Sequence, residues 1–131
     1  MALDQSGGLV PVSDDYCRYQ RLTRSSDFSR VFAGPARSSD EFFTVLGRAN
    51  AATVCRLGLA VSKRVAKSAV ARNRLKRLAR EAFRCQNKLP DWDFVVIARP
   101  AAVAQRNSVL RGSLERHFQR LMQKAENKRN G

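Results

Sequence analysis

Between Glu41 and Glu81 the chain has no acidic residue but ten cations: Arg48, Arg56, Lys63, Arg64, Lys67, Arg72, Arg74, Lys76, Arg77 and Arg80. A fold must bring these charges to solvent, to a counter-charge or to a polyanion, because an isolated buried cation is strongly unfavourable. The same stretch must also supply apolar faces for packing. How its apolar residues are spaced therefore decides both the architecture and the surface.

From Ser68 the spacing predicts a long helix to about Gln86, with Pro90 closing the connection after it. At about 100° per residue, Ala71, Leu75, Leu78, Ala79, Ala82 and Phe83 fall inside an arc of roughly 140°, which forms a core face. Lys76, Arg80, Asn73, Arg84 and Arg77 follow in that order on the opposite side, so Asn73 lies within the cationic face. Arg72 and Arg74 flank it. Guanidiniums offer forked donors to phosphate oxygens, and an amide adds both donor and acceptor. Within the helix only Glu81 can neutralise charge, through Arg77 at i−4 and Arg84 at i+3. A solvated helix face usually mixes signs; this one is left for an external polyanion.

The remaining pattern predicts an α+β two-layer sandwich, ordered helix, strands, helix, strand, helix. Ser25 and Ser26 are N-cap candidates for a short helix carrying Asp27, Phe28, Val31 and Phe32, stopped by Gly34 and Pro35. FFTVLGR at 42–48 and VCRLGLAVS at 54–62 read as strands joined by a link that suits a hairpin. In the second, Leu57, Leu59 and Val61 alternate with Gly58, Ala60 and Ser62, so one face is nearly bare. That face makes room either for a packed helix or for a ligand. DFVVIAR at 93–99 is apolar on both faces, as in a central strand. A last helix follows Asn107, with Leu110, Leu114, Phe118 and Leu121 as its stripe.

At 131 residues the chain suits one domain, over 18–123, between an acidic flexible extension at 1–17 and a frayed tail at 124–131. With 25 Lys and Arg against 11 Asp and Glu, its net charge of +14 predicts a polyanionic partner, nucleic acid first. No apolar run is long enough to span a membrane, and no signal-peptide pattern opens the chain, so a cytoplasmic protein is expected. Cys17, Cys55 and Cys85 lack the paired spacing of a metal or redox site and read as reduced thiols. The single histidine, His117, adjoins the stripe of the last helix and reads as a packing or surface residue. Asp91 and Asp93 read as turn and edge residues. No paired histidines, carboxylate cluster or activated nucleophile is evident, so no catalytic or metal-ligating residue is expected, nor a small-molecule substrate. Chemistry would have to come from a partner.

RLGLAVSKRVAKSAVARNRLKRLAREAFR, at 56–84 with its Arg72, Asn73, Arg74 core, resembles the signature of the bacterial ribonuclease P protein component. Similarity extends over roughly 20–122. The resemblance implies an α+β fold with a left-handed β-α-β crossover, against the usual handedness. It further implies a noncatalytic subunit assisting an RNA that, with Mg²⁺ held mainly by that RNA, removes the 5′ leader of precursor tRNA. The partners implied are ribonuclease P RNA and precursor tRNA. Carried over by position, Arg72, Asn73, Arg74, Lys76, Arg77 and Arg80, with Ser62, Lys63 and Arg64, would face the catalytic RNA and the leader junction. Phe28 and Phe32 would line the leader cleft. Periodicity alone makes those two rings core residues, and the resemblance reverses that order. Leu46 stands where some members carry a cleft aromatic. A plain RNA-binding or ribosome-associated module is the second reading and a DNA-binding helix protein the third.

Overall fold

A computed structural model describes residues 19–22, 24–50, 55–86 and 90–130. The elements run β1 (Tyr19–Arg21), α1 (Ser25–Ala33), β2 (Ala36–Ser39), β3 (Phe43–Ala49), β4 (Cys55–Ala60), α2 (Ala69–Arg84), β5 (Trp92–Ala98), a 3₁₀ turn (Pro100–Ala102) and α3 (Asn107–Asn130). The expected acidic extension and Cys17 lie outside the described residues.

One five-stranded mixed sheet has the order β1-β4-β5-β3-β2. The apolar β5 takes the centre, parallel to β4 and antiparallel to β3. Its place there corrects the expected hairpin between 42–48 and 54–62, because β5 lies between those two strands. A strand apolar on both faces is most stable with a neighbour on each side and helices above and below. The antiparallel hairpin is instead β2–β3, and β1 adds parallel to the free edge of β4. Neither β1 nor β2 carries an apolar alternation long enough to be read as a strand. β4, α2 and β5 form a β-α-β unit between adjacent parallel strands. The left-handed sense of that connection rests on the resemblance.

Strand alternation divides the core. Phe43, Val45, Cys55, Leu57, Phe94 and Val96 face α2 and α3, meeting Leu75, Leu78, Phe83, Leu114, Phe118 and Leu121. Phe83, Phe94 and Phe118 pack edge to face, with centroids 5.5–6.0 Å apart. This is the expected packing of helices on the sheet of an α+β fold. On the other face α1 builds a smaller cluster, in which Leu22, Val31, Leu46 and Val95 are buried and Phe28 and Ile97 pack against them. The N-cap of α1 is Arg24, without a side-chain cap bond, rather than Ser25 or Ser26.

On the bare strand face the packed-helix reading holds at Gly58. The Phe28 ring sits on Gly58 so closely that a Cβ there would lie 2.6 Å from Phe28 Cζ. Ala60, farther along, is only half-buried and Ser62 is exposed. α3 continues past the expected end of the domain at residue 123: Ala125 is buried and Lys124 Nζ donates to the Arg37 carbonyl, tying the helix to β2.

A buried polar group joins α3 to the sheet. His117 is 1% exposed, with Nδ1 2.6 Å from Ser38 Oγ. Its Nε2 lies 3.2 Å from Asp40 Oδ2, too poorly aligned for a full hydrogen bond. Ser, His and Asp thus meet, but Ser38 is itself buried under α3, so the arrangement fastens β2 to the helix. Burial pushes the His117 pKa down, outweighing the pull of Asp40. Burial pushes Asp40 up, but bonds from Ser113 and from the Phe43 and Phe42 N–H groups, with His117 nearby, hold it at about 2. In both cases the unfolded chain takes up the proton first, so acid favours unfolding. Stability should fall as pH drops below 6.5, through His117, and again between 3.8 and about 2, through Asp40. Urea midpoints across pH should show both stages, and His117→Gln should flatten the first.

Candidate nucleic-acid interface

α2 begins at a genuine cap: Ser68 Oγ accepts from the Ala71 N–H at 3.0 Å. Its first turn is braced by Arg72, whose Nη1 donates to the carbonyls of Ala66 and Lys67, both at 2.9 Å. Leu75, Leu78, Ala79, Ala82 and Phe83 are buried as the wheel requires, and Asn73 and Arg77 are exposed. Lys76 and Arg80 are half-buried. Among the described residues no hydrogen bond or ion pair engages the side chains of Asn73, Lys76, Arg77 or Arg80.

Arg74 differs from these four. Its guanidinium donates to Asn107 Oδ1 at 2.6 Å and to the carbonyls of Val103 and Gln105 at 2.8 and 3.3 Å. It closes the junction between α2 and the start of α3, so, like Arg72, it is committed to the protein rather than offered outward. Glu81 also departs from expectation, since its partner is Arg111 of α3 at 3.2 Å. Arg77 and Arg84 are not neutralised by it, and the face is more cationic than intrahelical pairing would leave it.

Asn73, Lys76 and Arg80 form one wall of a cleft of about 380 Å³, opposite Arg21, Leu22, Leu57 and Leu59. Cations on both walls and leucines along one suit a chain with charged phosphates and apolar base faces. Ser62, Lys63 and Arg64 lie exposed in the turn between β4 and α2, where the Ser62 carbonyl accepts from Val65 and Ala66. Phe28 and Phe32 belong to α1, on the other face of the sheet. Phe28 is half-buried on Gly58, and Phe32 is 49% exposed. Leu46 is buried beneath α1. The basic residues and the two rings therefore form two neighbouring surfaces rather than one pocket.

Asp93 is the group that sequence reasoning missed. Instead of a turn or edge residue it is a buried charge, 1% exposed, in the central strand. Arg56 grips it with two bonds of 2.7 and 2.8 Å, Arg30 of α1 donates at 2.9 Å and Asn50 at 2.7 Å. Burial pushes the carboxyl up, but these bonds more than reverse that and lower its pKa; the same pairing raises that of Arg56. Arg56 also approaches Asp27 of α1 at 3.6 Å. α1 and its rings are thus positioned by charge as well as by packing.

Residues 17–122 match the family model for Ribonuclease P. The chain belongs to the ribonuclease P protein family. It is 43% identical over 113 residues to the ribonuclease P protein component of Thioalkalivibrio sulfidiphilus, covering 86% of this chain and 94% of that one. With the Methylococcus capsulatus component it shares 45% over 102 residues, covering 77% and 80% of the two chains. The solved Staphylococcus aureus RNase P protein superposes with a TM-score of 0.71 at 31% identity, over 76% of this chain and 92% of that one. The Thermotoga maritima RNase P protein gives 0.63 at 31%, over 74% and 96%. As a ribonuclease P protein, the chain is a subunit of a ribonucleoprotein endoribonuclease of tRNA 5′ processing, and its partner is RNA. Among the described residues no helix is long and apolar enough to cross a membrane.

Proposed function

We propose that α2 holds ribonuclease P RNA beside the leader junction, while α1 presents Phe28 and Phe32 to the 5′ leader of precursor tRNA. The observation that carries this reading is the row Asn73, Lys76, Arg77 and Arg80, unengaged among the described residues and bordering a cleft lined by leucines. Phosphates would be held by the cations, with Asn73 free to read a base, a sugar or a metal-bound water. Ser62, Lys63 and Arg64 extend the grip along the turn before α2, and Arg72 and Arg74 keep the helix in place. The exposed ring of Phe32 suits an unstacked base, with Phe28 supporting it from its seat on Gly58.

Guanidinium and ammonium groups repel a metal ion and attract phosphate, so Mg²⁺ is assigned to the RNA rather than to this face. The protein would draw RNA strands together where that metal acts, in the cytoplasm. Phosphodiester hydrolysis itself would belong to the RNA, with the chain contributing binding and placement.

Reconstitution with the catalytic RNA tests the proposal. Adding the protein should improve cleavage of leader-bearing precursor tRNA at low Mg²⁺ and should favour precursor over mature tRNA. Arg77→Ala and Arg80→Ala should each lower the salt slope of RNA binding by about one unit. Phe32→Ala should leave that slope unchanged and reduce the preference for a leader by ~1–3 kcal/mol. Equal binding of precursor and mature tRNA by the holoenzyme would reduce the protein to a plain RNA-binding module.

A further inference from the structure

Along α3, Arg116, Arg120 and Lys124 recur every fourth residue, so they form a stripe that advances about 6 Å per step along one side of the helix. All three are exposed, and Arg37 of the edge strand β2 is exposed beside them. The stripe is seated on that strand: Arg120 Nη1 donates to Ser38 Oγ at 3.3 Å and Lys124 Nζ to the Arg37 carbonyl. Each of those groups keeps further donors for an outside partner.

Among the described residues no acidic side chain forms an ion pair with the stripe. Glu115 and Glu126 lie more than roughly 100° around the helix from its centre, on the side toward α2. The Asp40 carboxylate is held by Ser113 and two backbone N–H groups beside His117, so it offsets part of the charge without pairing with the stripe, and Glu41 enters no ion pair among the described residues. Arg116 and Arg37 have no side-chain partner among the described residues either. A cationic ridge with no ion pair among the described residues matches the character of the α2 face, but it stands at the opposite edge of the sheet. The cleft beside α2 borders β1 and β4, and this ridge borders β2. Across five strands the two edges are separated by roughly 19 Å.

We propose that Arg37, Arg116, Arg120 and Lys124 form a second phosphate-binding ridge, which takes a separate backbone segment of the catalytic RNA. Two cationic edges on one rigid sheet would clamp two RNA segments at a set spacing. The leader and its junction are placed on the α1 and α2 surfaces, so the far edge is left to the catalytic RNA rather than to precursor tRNA. This inference rests on the reading of α2 given above.

A tethered cleavage probe tests it with the whole chain, the catalytic RNA and no precursor tRNA. Cys17→Ser and Cys85→Ser leave only the buried Cys55, and a single new thiol is then placed by Val70→Cys beside the α2 face or by Gln123→Cys beside the ridge. The two probes should cut different segments of the RNA. In parallel, Arg37→Ala with Arg116→Ala should lower the salt slope of binding by about two units, one for each phosphate lost. Cutting from position 70 alone, cutting of one shared segment by both probes, or an unchanged slope in the double variant each overturns the ridge while leaving α2 intact. No cutting from either position, with Arg77→Ala and Arg80→Ala also silent, removes the α2 reading and the ridge together.

Discussion

Asp93→Ala is expected to cost the fold about 3–5 kcal/mol, because it leaves the buried end of Arg56 without its counter-charge. That is a large share of the roughly 5–15 kcal/mol that holds a domain of this kind. Arg56 is paired with Asp93 across adjacent strands, and its side chain is 19% exposed, so it cannot simply turn to solvent. Asp27 at 3.6 Å offers only a longer contact on the α1 side. Asp93→Asn should cost less, since an amide still offers an acceptor, yet it cannot balance the two arginines. The urea midpoint should fall in both variants, further for Ala, at constant slope.

The same substitution should carry a functional signature. Arg30 belongs to α1 and bonds Asp93, and Arg48 Nη1 reaches back to the Arg30 carbonyl at 2.6 Å. Losing the carboxylate loosens α1 from the sheet and with it Phe28 and Phe32. Preference for a leader should therefore decline under conditions where the variant is still folded, while the salt slope set by α2 stays as it was. An Asp93→Ala midpoint equal to the parent's would mean that the arginines find other partners.

What the sequence made legible follows the range of each interaction. The α2 wheel worked because its core stripe and cationic face repeat within four residues, and β5 stood out because both of its faces are apolar. The order of the strands could not be read in the same way: a short link between 42–48 and 54–62 is compatible with a hairpin, and only the apolar character of β5 argues for inserting a strand there. β1 and β2 are edge strands of three and four residues, held by backbone bonds that leave little trace in side-chain pattern. Asp93 was opaque for a related reason. Its partners lie 37 to 63 residues away, so in sequence it looks like any polar residue beside a turn. The basic site was found as a face, but its division into outward and inward groups needed the position of α3.

Arg74→Ala and Arg77→Ala should separate those two kinds of arginine, although only three positions divide them. Arg74→Ala removes a cation from three acceptors at the α2–α3 junction and should cost about 2–3 kcal/mol of stability. Arg74→Lys should recover only part of it, because a single ammonium does not present the planar fork that spans Val103, Gln105 and Asn107. RNA affinity should weaken in the Ala variant with little change in salt slope, since the number of phosphates met is the same and the helix that meets them is less firmly placed. Arg77→Ala should do the reverse, with an unchanged urea midpoint and a slope lower by about one unit. If Arg74→Ala instead keeps its midpoint and loses a unit of slope, the guanidinium leaves the junction and binds phosphate when RNA arrives.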